Sequence, residues 1–360
     1  MKVAIVLGTR PEIIKMAPIM RELKRRNLDF FILHTGQHYS YFLDQVFFEQ
    51  LKLPQPKYNL QVGSGTHAEE TGRMLIGIEK VLMKEWPDVV LVEGDTNTVL
   101  AGALAAVKLR IPVGHVEAGL RCFDWEVPEE INRILADRVS DFLFAPTEKA
   151  RKNLLDEGIP DEKIFVTGNT IVDAVYQNIQ LAQQRCDVIL NDLSLKDGDY
   201  FLATFHRQEN VDDKKRLKGI LDGLRLVHDY FGFPVVCPMH PRTSERIKEF
   251  NLKSDWLTVT KPLDYLSFLR LESEARLIFT DSGGIQEEAC ILKVPCVTLR
   301  YSTERPETIE VGANILAGTE PEKILERAKV MIGRKRNWCN PFGDGRAGER
   351  IVEILMKHLE

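Results

Sequence analysis

Residues 276–292 read RLIFTDSGGIQEEACIL: a short apolar run, then Asp281, Ser282, Gly283 and Gly284, then an apolar stretch carrying Glu287 and Glu288. An apolar run that turns through glycines into a helix pattern is the repeating unit of a parallel sheet covered by helices. The turn itself admits two readings. It is a tight acidic turn, or it is the place where free N–H groups at a helix start meet a phosphorylated ligand. It has no GK[ST], so it is not a Walker loop, and it does not fit G-x-G-x-x-G.

The same unit recurs on both sides of this stretch. Strands are predicted at KVAIVLG, DFFILHTG, DVVLVEG, VGHVEAG, DFLFAP and KIFVTG in the first half, and at YFLATFH, PVVCP, WLTVT, RLIFTDS and PCVTL in the second. Helical patterns such as PEIIKMAPIMRELKRR, EETGRMLIGIEKVLMKEW, TNTVLAGALAAVKL and PEKILERAKVMIG lie between them. Strands this uniformly apolar are buried on both faces, which predicts parallel sheets. The alternation runs through the chain twice, so the expected fold is α/β with two doubly wound, Rossmann-like domains. The patterning is weakest at 183–198, QQRCDVILNDLSLKDG, which places a hinge near 168–198.

The length of 360 residues also suits two domains. A net charge of −5 gives no footprint of nucleic-acid binding, so any anionic ligand must be held by local charge and backbone N–H groups. The N-terminus MKVAIVLGTR has an apolar run too short for a signal peptide, and no run approaches the ~18 apolar residues that a membrane span requires. None of the six cysteines forms a CxxC pair, and Cys290 and Cys296 read as small core residues. A cytoplasmic, reduced protein without structural zinc is expected.

In open parallel sheets, ligands bind beyond the carboxyl ends of the strands. The first strand is followed by Arg10, Pro11 and Lys15 in GTRPEIIK. These cations are either a solvated helix end or, since a cation at a helix N-terminus opposes the dipole by roughly 0.3–1 kcal/mol, a sign of a bound anion. Strand ends also carry Asp95, in EGDTNT, and Glu117, in HVEAGLR. Carboxylates that converge at one mouth raise one another's pKa, which is how an acid and a base coexist at neutral pH. The acidic start of PEEINR is ordinary for a first helical turn. In the second half, FHRQEN puts His206 and Arg207 at a strand end, with His240 a weaker parallel. A glutamate about a turn into the IQEEACIL helix, 285–292, is placed for the hydroxyls of a ribose.

Taken in order, GTRPEIIKMAP, TGQH, EGDTNT, HVEAGLR, PEEINR, TGNT, FHRQEN, DSGGIQEEA, RPETIEVG and NPFGDG closely resemble the non-hydrolysing UDP-N-acetylglucosamine 2-epimerases across nearly the whole chain. The resemblance implies a glycosyltransferase-B-like fold with the active site in the inter-domain cleft. It implies domains at 1–170 plus 344–360, the last helix returning to the first domain, and at 171–343. It implies interconversion of UDP-GlcNAc and UDP-ManNAc by a homodimer, with no metal or cofactor; the alternatives are a hydrolysing epimerase that releases UDP and ManNAc, or a glycosyltransferase of the same fold. The family eliminates UDP to 2-acetamidoglucal and adds it back with inversion at C2. By motif, Asp95, Glu117 and Glu129 surround the sugar, His206 stands beside the diphosphate, and Lys15 and Arg133 complete the catalytic set. Arg10, Ser282, Gly283, Gly284, Glu288 and Arg305 would hold UDP. Two departures stand out: Gln208 replaces an arginine, and VGSGTHAEETG lacks an evident glutamine that contributes to an allosteric site in bacterial members.

Overall fold

The computed structural model describes residues 1–36, 41–184 and 190–359. Gln37 and His38 of the TGQH motif, and Cys186, lie outside the described residues. The chain forms two compact units, Met1–Ala174 with Phe342–Glu360 and Val175–Pro341.

The first unit is built on a seven-stranded sheet in the order β3-β2-β1-β4-β5-β6-β7. Its strands are β1 (Lys2–Leu7), β2 (Asp29–His34), β3 (Tyr58–Asn59), β4 (Val89–Glu93), β5 (Val113–Val116), β6 (Phe142–Ala145) and β7 (Ile164–Val166). Every pairing is parallel. The second unit has a six-stranded sheet in the order β10-β9-β8-β11-β12-β13, again all parallel. Its strands are β8 (Phe201–Thr204), β9 (Val235–Pro238), β10 (Thr258–Thr260), β11 (Leu277–Thr280), β12 (Cys296–Thr298) and β13 (Asn314–Leu316). All the predicted strands are present. Two more, β3 and β13, edge the sheets and are too short to give a periodic signal.

Burial explains the apolar runs. Val3–Leu7 of β1 and Leu277–Phe279 of β11 are fully inaccessible because helices cover both faces of each sheet. Cys237, Cys290 and Cys296 are core residues, and burial pushes the Cys237 and Cys290 thiols up to about 12.

In each sheet the strand order reverses at one point, between β1 and β4 in the first unit and between β8 and β11 in the second. At such a point the chain leaves adjacent strands toward opposite faces, and a crevice opens at their carboxyl ends. The helix Arg10–Arg25 starts there in the first unit and Gly283–Ile291 starts there in the second. The helix Ala347–Leu359 belongs to the first unit, where the Asp173 carboxylate accepts the backbone N–H groups of Ala347 and Gly348 at 3.1 and 2.9 Å. A Cβ on Gly348 would lie 3.0 Å from the backbone of Pro18, so the helix approaches Arg10–Arg25 closely.

Candidate active site

The crevice of the first unit holds an unusual density of buried charge. Lys15, on the second turn of the Arg10–Arg25 helix, is 7% exposed and so is not part of a solvated helix end. Its ammonium lies 2.6 Å from Glu117 Oε1 and 3.3 Å from Glu93 Oε1. The expected compensation by a bound anion is therefore supplied by two carboxylates of the chain itself. Asn169 donates a further hydrogen bond to Glu117 Oε1 at 2.7 Å. Glu117 itself sits at φ +67°, a left-handed conformation that costs a non-glycine residue of order 1–3 kcal/mol and recurs at functional sites.

Two carboxylates here have raised pKa values, and sequence reasoning singled out neither. Burial pushes Glu93 well above the carboxylate range; Lys15 opposes this and Glu117 adds to it. Burial also raises Glu12, to about 7, against the hydrogen bonds it accepts. Those bonds come from Gly8 N at 2.5 Å, Thr9 N at 2.9 Å and the Thr96 hydroxyl at 2.5 Å. Glu12 thus ties the end of β1 to the loop that carries Asp95. The T-x-x-E spacing of Thr9 and Glu12, a helix-start signature, could have revealed it. Nothing local marks Glu93.

Asp95 follows β4 directly, and its carboxylate pairs with Arg133 of the helix Pro128–Val139. Arg133 also binds Glu130 at 2.7 Å, and Asn132 donates to the Asp95 carbonyl at 2.9 Å. Glu130 is buried and accepts the N–H groups of Cys122 and Phe123, whereas its neighbour Glu129 is exposed on the first turn. The structure therefore brings Lys15 to Glu117 and Asp95 to Arg133, with Glu129 at the open helix start. Arg10, also on the first turn, lies over the Phe47 ring at 5.3 Å.

In the second unit the crevice is built chiefly by the backbone. Asp281, fully buried, accepts from His206 N at 3.1 Å, Arg207 N at 3.0 Å and Asn210 Nδ2 at 3.0 Å. It locks the chain after β8 to the end of β11. The His206 ring stays half exposed, its Nδ1 3.8 Å from Asp281. Ser282 is the N-cap residue of Gly283–Ile291, yet its side chain makes no capping hydrogen bond.

The two glycines differ. A Cβ on Gly283 would meet Glu304 Oε1 at 2.4 Å, so this glycine makes room for a buried carboxylate of the chain. A Cβ on Gly284 would meet nothing closer than Ser282 Oγ at 4.0 Å, so Gly284 presents open space at the helix start. Glu304 binds Arg207 at 3.1 Å and Arg300 at 2.8 Å. Arg305 pairs with Glu287 at 2.6 Å. Glu288 is 6% exposed, and beside it Glu272 is fully buried with no hydrogen-bond partner among the described residues. Burial, then Glu288, drives the Glu272 pKa well above its ordinary value.

Each unit therefore has its chemistry-bearing residues at the switch point of its sheet. The first offers carboxylates and ammonium or guanidinium partners suited to moving protons. The second offers helix-start N–H groups and arginines suited to a phosphorylated ligand. Among the described residues no group of three or more His, Cys, Asp or Glu is placed to hold a metal ion.

Comparison with known proteins identifies the family of the chain. A family model described as UDP-N-acetylglucosamine 2-epimerase matches residues 21–356. A UDP-N-acetylglucosamine 2-epimerase of Methanocaldococcus jannaschii is 59% identical over 99% of each chain. A crystal structure of UDP-GlcNAc 2-epimerase from that organism, in complex with UDP-GlcNAc and UDP, superposes with a TM-score of 0.94 at 58% identity, covering 99% of this chain and 100% of that one. A UDP-2,3-diacetamido-2,3-dideoxy-D-glucuronate 2-epimerase of Pseudomonas aeruginosa is 43% identical over 99% of this chain and 100% of its own. A calicheamicin glycosyltransferase, at 13% identity and a TM-score of 0.58 over 99% of this chain and 98% of that one, shares the glycosyltransferase-B-like fold alone. On these matches the chain belongs to the UDP-N-acetylglucosamine 2-epimerase family.

Proposed function

We propose that the chain interconverts UDP-GlcNAc and UDP-ManNAc without releasing the sugar, by eliminating UDP to 2-acetamidoglucal and adding it back with the opposite configuration at C2. The observation that carries this reading is the set of charge-paired carboxylates at the β1/β4 switch point, the buried Glu117 with Lys15 and the partly exposed Asp95 with Arg133. A proton at C2 of the sugar has no neighbouring carbonyl to acidify it. Its removal therefore calls for a positioned base, and departure of the diphosphate calls for a site that stabilises the developing charge. Two differently placed carboxylates suit removal of a proton from one face and return of a proton to the other.

In this reading Asp95, Glu117 and Glu129 act around the sugar, with Lys15 and Arg133 setting their charge, and His206 acts beside the diphosphate. Arg10, Ser282, Gly283, Gly284, Glu288 and Arg305 hold UDP, with the open side of Gly284 facing the phosphates. A homodimer working in the cytoplasm on a nucleotide-sugar pool completes the proposal.

The test is to incubate UDP-GlcNAc with the protein in D2O and follow it by NMR. The reading expects UDP-ManNAc carrying deuterium at C2, with little free UDP. Stoichiometric UDP and free ManNAc would mean a hydrolysing epimerase, and absence of C2 exchange would overturn the epimerase reading for this substrate. The 43% identity to the Pseudomonas aeruginosa enzyme makes UDP-2,3-diacetamido-2,3-dideoxy-D-glucuronate the second substrate to try. Faster exchange with that compound would reassign the sugar while leaving the chemistry in place.

A further inference from the structure

His115 lies in β5, two residues before Glu117, and is fully buried. Its two ring nitrogens both meet hydrogen-bond acceptors. Nδ1 is 2.6 Å from Asp137 Oδ1, and Nε2 is 2.8 Å from the Gly94 carbonyl oxygen. A carbonyl can only accept, so Nε2 must carry a proton. Asp137 Oδ2 accepts from the Arg121 guanidinium at 2.7 Å and from Gly119 N at 3.1 Å. A carboxylate so engaged is ionised and also accepts only, so Nδ1 must carry a proton as well. The ring with both nitrogens protonated is the imidazolium.

The surroundings support that charge. Burial works against a charged ring at position 115, yet the Asp137 carboxylate and the Gly94 carbonyl outweigh it and raise the pKa. Burial likewise works against the charge on Asp137, and His115 and Arg121 overcome it. Arg121 opposes the charge on the ring, and Arg121 is itself held by Glu157 at 2.7 Å. Two cations and two carboxylates thus balance, which is the condition under which buried charges persist.

The carbonyl that His115 holds belongs to the peptide joining Gly94 to Asp95. Gly94 N donates to Val116 O at 3.1 Å, so β5 grips this residue from both sides. Gly94 needs its φ of +84° to make the turn, a conformation that glycine adopts without strain. From there Asn132 fixes the Asp95 carbonyl and Arg133 its carboxylate. We propose that His115 is a positioning residue, a permanent imidazolium that fixes the Gly94–Asp95 peptide and so sets where the Asp95 carboxylate stands. The ring is buried beneath the loop and acts through Asp95. This assignment rests on the proposed acid/base role of Asp95 for its catalytic consequence, but the protonation state stands apart from it.

Two measurements on the full chain test it. With the protein labelled with 15N in its histidine rings and His115 assigned by through-bond correlation to its backbone, both ring nitrogens should bear protons at about pH 8, above the ordinary histidine value. A single protonated nitrogen would overturn the proposal, whatever the enzyme does. In steady-state epimerisation, His115→Gln should lower kcat about 10²-fold while KM for UDP-GlcNAc and the Kd for UDP stay within about threefold, the signature of a misplaced reacting group. An unchanged kcat, or a loss confined to KM, would overturn the positioning role. If wild-type protein shows no exchange at C2, the reaction assigned to the chain fails while the ring measurement still decides the state of His115.

Discussion

The switch points of the two sheets are topologically equivalent, yet they are furnished by different means. At β1/β4 the site is made of side-chain charge drawn from distant parts of the chain: Lys15 reaches Glu117 across 102 residues, and Arg133 reaches Asp95 across 38. At β8/β11 the main carboxylate, Asp281, is used up in holding two backbone N–H groups and an asparagine amide, so what remains at the surface is a shaped helix start. Paired buried charges are sensitive to removal of either partner and can change protonation state at low energetic distance. A backbone-built anion site is less sensitive, because its donors are main-chain N–H groups that substitutions other than proline leave in place. The first arrangement suits chemistry and the second suits holding.

That contrast can be broken in graded ways. The largest effect is expected from Asp95→Asn, which removes the carboxylate but keeps the shape beside Arg133. Turnover should fall by at least about 10³-fold, within the range that general acid–base groups contribute, while calorimetric UDP affinity stays nearly unchanged. An equal loss in UDP affinity would erase the division between the two crevices.

Glu12→Gln probes the buried charge through stability. The Glu12 carboxyl titrates at about 7 in the folded chain against an ordinary 4.5, so the folded state holds that proton more tightly than the unfolded one. Its stabilising contribution is complete below about pH 4.5 and is lost as pH rises through about 7. Glutamine keeps an acceptor for Gly8 and Thr9 and can donate to Thr96. Denaturation of the two proteins across this window should therefore diverge in favour of Glu12→Gln as pH rises, by up to about 3 kcal/mol. Parallel curves would mean that the helix-start donors keep Glu12 ionised throughout.

The glycines supply the finest comparison. Gly283→Ala should destabilise the second unit by about 1–3 kcal/mol, since Glu304 must give way. Gly284→Ala should leave thermal stability intact but weaken UDP binding roughly tenfold by occupying the approach to the helix start. If the two variants behave alike, Gly284 does not face the ligand.

Much of this was legible in the sequence. Residues such as Val89–Val92 and Leu277–Phe279 announced buried parallel strands, because a strand covered on both faces needs apolar side chains at every position. The ends of those strands in turn located Asp95, Glu117, His206 and Ser282. Other features were hidden because their meaning lies in partners. Lys15 looked like an unpaired cation until the fold supplied Glu93 and Glu117. His115 sat inside an apolar strand pattern with nothing to show that Asp137 would meet it. Gly283 and Gly284 are identical in sequence, and only the Glu304 carboxylate, brought in by a later loop, separates them.

The return of Ala347–Leu359 to the first unit has a temporal consequence. Asp173 and the tight seat against Pro18 await residues that leave the ribosome only after the whole of Val175–Pro341 has been made. At ordinary elongation rates of roughly 5–20 residues per second, making Val175–Pro341 delays that helix by on the order of ten seconds or more. The Arg10–Arg25 helix, though synthesised at the outset, is the last to find its full complement of neighbours. A nascent chain would therefore carry its first-made unit as an unfinished one, a natural client for a chaperone until the final helix arrives.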